Sequence, residues 1–265
     1  MNGLAIIYIC SGGYKVFWHN FYLSAEKYFA PNMKKTYFVF TDSDDIIQSK
    51  ERNVKTYFTR KMGWPYDTLE RWSDICRIQD ILKQYDYIAF CNANTEFIST
   101  FDVEKYIGTE SLLLWSITEK GTKSDSMPLE RNLNSRAAIP PDADIVCYYN
   151  GGFILGLSDQ FVKMSIELRD WTEEDLQNGI IARCHDESML NSYIYHHPDV
   201  RVARVGKEGF MPSEFADEYN MPCAVFRNKD DYGGNIGIRY NNRILGNLDI
   251  FRRRVIGKIR SVVKR

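Results

Sequence analysis

The sequence predicts an α/β domain on a mainly parallel sheet, and three observations carry that reading. Short apolar runs alternate with stretches whose apolar residues recur at helical spacing. The runs close on Ser, Gly, Asn or Asp, residues that turn a chain. No internal repeat or low-complexity linker interrupts the pattern, and 265 residues, 44% of them hydrophobic, can bury one substantial core.

The elements follow in order. "LAIIYIC" (4–10) reads as a buried first strand that turns at Ser11-Gly12-Gly13. Tyr14, Phe17, Trp18, Phe21, Ala25, Tyr28 and Phe29 then recur at helical spacing until Pro31 ends the helix. "TYFVF" (36–40) and "VKTYF" (54–58) are the second and third strands. Asp67 or Thr68 is the expected cap of one helix carrying Leu69, Trp72, Ile75, Ile78, Leu82 and Tyr85. A strand at 87–91 runs into Asn92-Ala93-Asn94. "SLLLW" (111–115) and "FILGL" (153–157) are further strands, separated by a polar stretch rich in Ser, Asn and Pro. Ser158 or Asp159 is expected to cap a helix with Phe161, Met164, Leu168 and Trp171 inward. Ligands of such sheets bind beyond the carboxyl ends of strands, where residues 11–13 and 92–94 fall.

Bulk properties exclude several classes. No apolar run is long enough to span a bilayer. The start lacks a basic region, so no secretion signal is expected. The six cysteines, at 10, 76, 91, 147, 184 and 223, form no CxxC pair, which fits buried thiols in a reducing cytoplasm better than disulfides or zinc. Net charge is −1, but the end, "FRRRVIGKIRSVVKR", is strongly basic. Aromatics do not interleave with that run, so no nucleic acid partner is expected. Leu248, Phe251, Val255, Ile259, Val262 and Val263 form an apolar stripe among Arg and Lys, and residues 244–265 read as a basic amphipathic helix suited to an anionic membrane surface. A frayed, solvated helix is the alternative.

Four stretches can carry chemistry: "CNANTEF" (91–97), "YYNGGF" (148–153), "CHDESMLNSY" (184–193) and "FRNKDDYGGN" (226–235). Each also has a plain reading, as an Asn turn, a Gly bulge, a helix capped by Asp186 and a surface loop. Together and in order, with Tyr14 and "FYLSAEKYF", "TYFVFTD", "GWPYDTLERW" and "LERNLNSRAAIP", they resemble glycosyltransferase family 6 from Leu4 to about Asn235. That family comprises retaining enzymes, including the blood group A and B transferases and their bacterial relatives. Asn-x-Asn in place of Asp-x-Asp resembles its bacterial branch, whose members work without metal.

The resemblance implies a GT-A-type nucleotide-sugar-binding fold, with residues 1–243 as the catalytic domain. It implies transfer of GalNAc or Gal from the UDP-sugar, in α1,3 linkage, to a galactoside or lipid-linked glycan. The base is expected near Ile9 and Tyr14, and the ribose and diphosphate near Asn92 and Asn94. No cofactor or divalent metal is expected, because an amide is a poor ligand for a hard cation. The negative charge gathering on departing UDP then falls to basic side chains: Arg227 and Lys229, with Arg71 beside the donor sugar. Arg239 and Arg243 are further candidates without a family match. Glu187 is the expected catalytic carboxylate, as nucleophile or as stabiliser of oxocarbenium charge. His185 and Asp186 match positions that contact donor sugar and acceptor. Asn150, Gly151 and Gly152 fall where the family chooses its donor, and absent side chains favour the C2 acetamido group of GalNAc. Where relatives carry an acceptor-binding histidine, this chain has Trp115-Ser116. A UDP-sugar binder without turnover and a UDP-sugar hydrolase are the competing functions. The expected location is cytoplasmic, peripheral at the inner membrane face.

Overall fold

A computed structural model describes residues 3–252 except 49, 119–121, 123, 146, 220, 241–243, 246, 249 and 250. Seven strands form the main sheet in the order β3-β2-β1-β4-β7-β6-β8. They are β1 (Gly3–Ile9), β2 (Lys34–Thr41), β3 (Val54–Phe58), β4 (Tyr87–Cys91), β6 (Leu112–Ser116), β7 (Tyr149–Leu157) and β8 (Val202–Val205). A smaller sheet, β5-β10-β9, uses β5 (Thr95–Phe97), β9 (Phe210–Pro212) and β10 (Ala224–Phe226).

Both faces of the main sheet are covered, which is why its strands read as unbroken apolar runs. Leu4, Ile6 and Tyr8 of β1 pack into the core on one face, while Ala5 and Ile7 pack into the other. Strands β3, β2, β1 and β4 run parallel, as does the β6–β8 pair. β7 departs from the expected parallel order by running antiparallel to both β4 and β6. It is also longer than expected, so Asn150-Gly151-Gly152 belongs to a strand rather than a turn. The reversal puts the start of β7 at the carboxyl end of β4, with Phe153 opposite Cys91.

The helices mostly follow their spacing. A 3-10 turn at Gly12–Phe17 leads into α1 (Trp18–Tyr28), and α2 (Asp44–Ile47) follows β2. The single helix expected over residues 68–85 is three short ones, α3 (Tyr66–Leu69), α4 (Arg71–Cys76) and α5 (Gln79–Leu82). Asp67 does not cap them. Its carboxylate accepts the backbone N–H of Met62 (2.6 Å) and Gly63 (2.9 Å), fastening the loop before α3. α6 (Val103–Ile107) precedes β6, and α7 (Ser158–Gln177) and α8 (Asp186–His196) cover one sheet face. Ser158 does not cap α7 either, because its hydroxyl donates to the Tyr85 carbonyl.

Between β6 and β7 an excursion packs Met127, Leu129, Ile139 and Tyr148 into a cluster of its own. Two buried carboxylates anchor it. Glu130 accepts the N–H of Asn132 (2.7 Å) and Arg183 (2.6 Å), and Asp175 accepts the N–H of Arg136 (2.7 Å). Helix α9 (Gly234–Tyr240) lies on the turn after β1. A Cβ on Gly13 would stand 2.4 Å from the Ile238 carbonyl oxygen, so only glycine permits that approach. Most of the expected 244–265 helix lies outside the described residues. Residues 244–245, 247–248 and 251–252 are helical and exposed.

Candidate active site

A cleft of about 450 Å³ opens at the carboxyl ends of β1 and β4, beside the start of β7 and of α8. Ile9, Tyr14, Arg71, Asn92, Asn94, Asn150, Gly151, Gly152, His185, Asp186, Glu187 and Lys229 line it, so every expected site residue is present except Arg227.

Arg71 organises the floor. Its Nη1 lies 2.6 Å from Asp186 Oδ2 and donates to the Gly151 carbonyl at 2.8 Å, and its Nη2 donates to Asn92 Oδ1 at 3.4 Å. The guanidinium carbon lies 3.9 Å from the centre of the Phe90 ring. Burial pushes the Asp186 carboxyl up and the Arg71 guanidinium down, and each charge opposes the other's shift.

Glu187 opens α8 beside Asp186, and its Oε2 accepts the Gly151 N–H at 2.8 Å. Burial pushes its carboxyl above the usual range, against the Gly151 N–H and the neighbouring Tyr148 hydroxyl. Asn191 locks α8 to β7, accepting from the Tyr149 N–H (2.9 Å) and donating to the Tyr149 and Glu187 carbonyls (2.8 Å each). Asp186 is therefore an ion-pair partner, not a cap. The residue before it, His185, takes φ +52°, strained for a side chain of its size, and packs edge-on against Trp64. Burial pushes the His185 imidazole down, Asp186 opposes that, and Arg239 adds to it.

The glycine pair is needed for reasons internal to the protein. A Cβ on Gly151 would come within 2.9 Å of Asp186 Oδ2 and 3.4 Å of Arg71 Nη1. On Gly152 it would come within 2.7 Å of Asn150 Oδ1 and 3.1 Å of Asn92 Nδ2. The space beside this strand is thus filled by the Arg71–Asp186 pair and two amides.

Both asparagine amides are engaged within the protein. Asn92 Oδ1 accepts from Arg71, and Asn94 Nδ2 donates to the Arg227 carbonyl at 2.9 Å. Among the described residues, no group of three or more His, Cys, Asp or Glu could hold a metal. Positive charge instead stands along the wall. Lys229 Nζ lies 5.2 Å from the centre of the Tyr14 ring, and the Arg239 guanidinium lies 4.8 Å from that of Trp64. Arg239 Nε is buried without a hydrogen-bond partner.

Arg227 is placed elsewhere. Its guanidinium makes a two-pronged pair with Glu96, at 2.7 and 2.8 Å, on the small sheet. Only its backbone serves the cleft, by holding Asn94 through the N–H (2.8 Å) and the carbonyl. Trp115 is buried against Phe226, ring centres 4.7 Å apart, and Ser116 Oγ donates to the Thr118 carbonyl. Neither lines the cleft. Arg243 lies outside the described residues. The sequence reading missed Trp64, Arg183 and Cys184 as cleft residues. The signal was adjacency, because they stand within "GWPYDT" and immediately before "HDES".

A mainly parallel α/β sheet with a polar, cation-edged cleft at its strand ends has the architecture of a nucleotide-binding protein. Comparison with known proteins makes this particular. The sequence model of glycosyltransferase family 6 matches residues 3–204, and the chain belongs to that family. It is 35% identical over 200 residues to the O-antigen biosynthesis glycosyltransferase WbnI of Escherichia coli, covering 76% of this chain and 85% of that protein. It is 28% identical to histo-blood group ABO system transferase 1 of Rattus norvegicus, covering 71% of this chain and 56% of the rat protein. Among the described residues no helix is long and apolar enough to cross a membrane.

Proposed function

We propose that this glycosyltransferase moves GalNAc or Gal from its UDP-sugar to a galactose-terminated glycan, with α1,3 linkage, retention of configuration and no divalent ion. The observation that carries this reading is the pairing of amides with cations in one cleft. Asn92 and Asn94 are tied to Arg71 and Arg227, while Lys229 and Arg239 stand on the same wall. Those two cations offset the charge that grows on UDP as the glycosidic bond breaks. Tyr14 offers a flat face to uracil, and Ile9 packs beside it. Glu187, oriented by Gly151, presents a carboxylate to the anomeric carbon, as nucleophile or as stabiliser of oxocarbenium charge. Asp186, held by Arg71, and His185 supply hydrogen bonds to sugar hydroxyls.

Gly151 and Gly152 do not choose between the two donors, because the space beside them is taken by the Arg71–Asp186 pair and two amides. The similarity to an O-antigen glycosyltransferase points to a bacterial surface polysaccharide precursor as acceptor. A lipid-linked acceptor at the inner leaflet fits peripheral attachment through the basic tail.

The test incubates the purified chain with UDP-GalNAc or UDP-Gal, a panel of galactosides and EDTA. Chelator-resistant glycan product with retained configuration is expected. Release of UDP without product would indicate a hydrolase, and tight binding without release a binding protein. Activity that appears only with manganese would overturn the metal-free reading.

A further inference from the structure

Tyr148 immediately precedes β7 and does not line the cleft. Its ring is fully buried in the cluster of the β6–β7 excursion, and its hydroxyl has no hydrogen-bond partner there. Folded interiors rarely leave a hydroxyl in that state, because it has given up water for nothing. The oxygen nonetheless lies beside two acceptors, the Glu187 carboxylate and the Cys184 sulfur. Cys184 Sγ is turned to the Pro128 carbonyl at 3.6 Å, which leaves the carboxylate as the stronger acceptor.

The backbone keeps the two groups together. The Tyr148 N–H donates to Thr118 Oγ1 at 2.7 Å, and Asn191 binds the next residue of the strand and the Glu187 carbonyl at once. The other charges facing Glu187 are Asp186 on its own helix and Arg71 from α4, already paired with each other. Glu187 thus has one fixed donor, the Gly151 N–H, and one waiting neighbour.

We propose that Tyr148 is a positioning residue, whose hydroxyl is the second donor that keeps the Glu187 carboxylate aimed into the cleft. This deepens the function proposed above and rests on Glu187 being its catalytic carboxylate. Tyr148 keeps its proton throughout, since burial and the adjacent carboxylate both disfavour the phenolate. The role is therefore donation only, and no proton changes hands.

Tyr148→Phe removes the hydroxyl and little else. A packing role predicts a variant with unaltered kinetics. The positioning role predicts a Tm lowered at neutral pH, kcat lowered about tenfold and a donor KM within about twofold of the parent. The acid limb of kcat should move up by about one pH unit, because a carboxylate with one donor fewer holds its proton more tightly. A readout independent of turnover is the carboxyl 13C NMR titration of Glu187, assigned by its loss in Glu187→Gln. Its midpoint should rise by about one pH unit in Tyr148→Phe. 3-Fluorotyrosine at position 148, a stronger donor of nearly the same shape, should lower it. A Glu187 titration indifferent to both changes overturns the proposal. An inert parent protein with the expected titrations would instead strike the transferase reading.

Discussion

Arg71 shows how tightly the site is bound to itself. Its guanidinium meets Asp186, Gly151 and Asn92, so it orients groups for the donor more than it offers a free charge. Lysine cannot reproduce that fork, and Arg71→Lys is expected to lose activity by at least about tenfold while UDP binding falls less. Glu187 carries the chemistry in our reading, and Glu187→Gln should lower kcat about a thousandfold or more. The same change should raise stability. A carboxyl whose folded pKa lies above its unfolded value stabilises the fold only below the unfolded value, and that contribution is lost as pH rises through the folded one. Glu187→Gln is therefore expected to have a higher Tm than the parent at pH 8, by calorimetry, with the gap closing in acid. Gly151→Ala drives a methyl against the Asp186–Arg71 pair and should cost about 1–3 kcal/mol in denaturant titrations.

Among the elements, β1, β2, β3 and β4 were legible because each is a short apolar run between turn formers. The direction of β7 was not, since a strand buried on both faces reads alike both ways along the chain. That reversal explains why residues 92 and 151, remote in sequence, share a wall, with the Asn92 N–H on the Gly152 carbonyl at 2.8 Å. Helix spacing between Leu69 and Leu82 was read correctly as one apolar side, but periodicity does not reveal breaks at residues 70 and 77–78. β5, β9 and β10 are each three residues long, too short for an alternation to register. Arg227 was expected at the donor because its segment closes over the donor in the family it resembles, and an alternative partner on β5 was invisible before β5 itself was known. Arg227→Ala is accordingly expected to change stability by less than about 1 kcal/mol, the pair being partly exposed, and to leave the donor KM within a few-fold. Lys229→Ala should raise that KM by about tenfold or more, measured as UDP release against donor concentration.

For the molecule as a whole, the basic tail follows α9, which rests on the turn carrying Tyr14. Ile244, Leu248 and Phe251 are more than half exposed, and Arg252 and the basic residues beyond continue the same composition. Removal of residues 248–265 is expected to abolish flotation with anionic vesicles, and equal flotation of both forms would count against membrane attachment. The family was readable in the sequence because its motifs are contiguous stretches. The partners within the site were not, because Arg71, Asn92, Gly151 and Asp186 come from four separate segments.

The excursion of residues 117–148 leaves the sheet after β6 and returns at the start of β7, so both of its ends open on the cleft side. It has a cluster of its own, and it is held to the rest of the molecule by the carboxylates of Glu130 and Asp175, by Ala137 and Cys147 packed in the main core, and by the Ser192 hydroxyl on the Arg136 carbonyl. An alteration in that cluster is therefore felt at Glu187, because Tyr148 belongs to the one and lies beside the other.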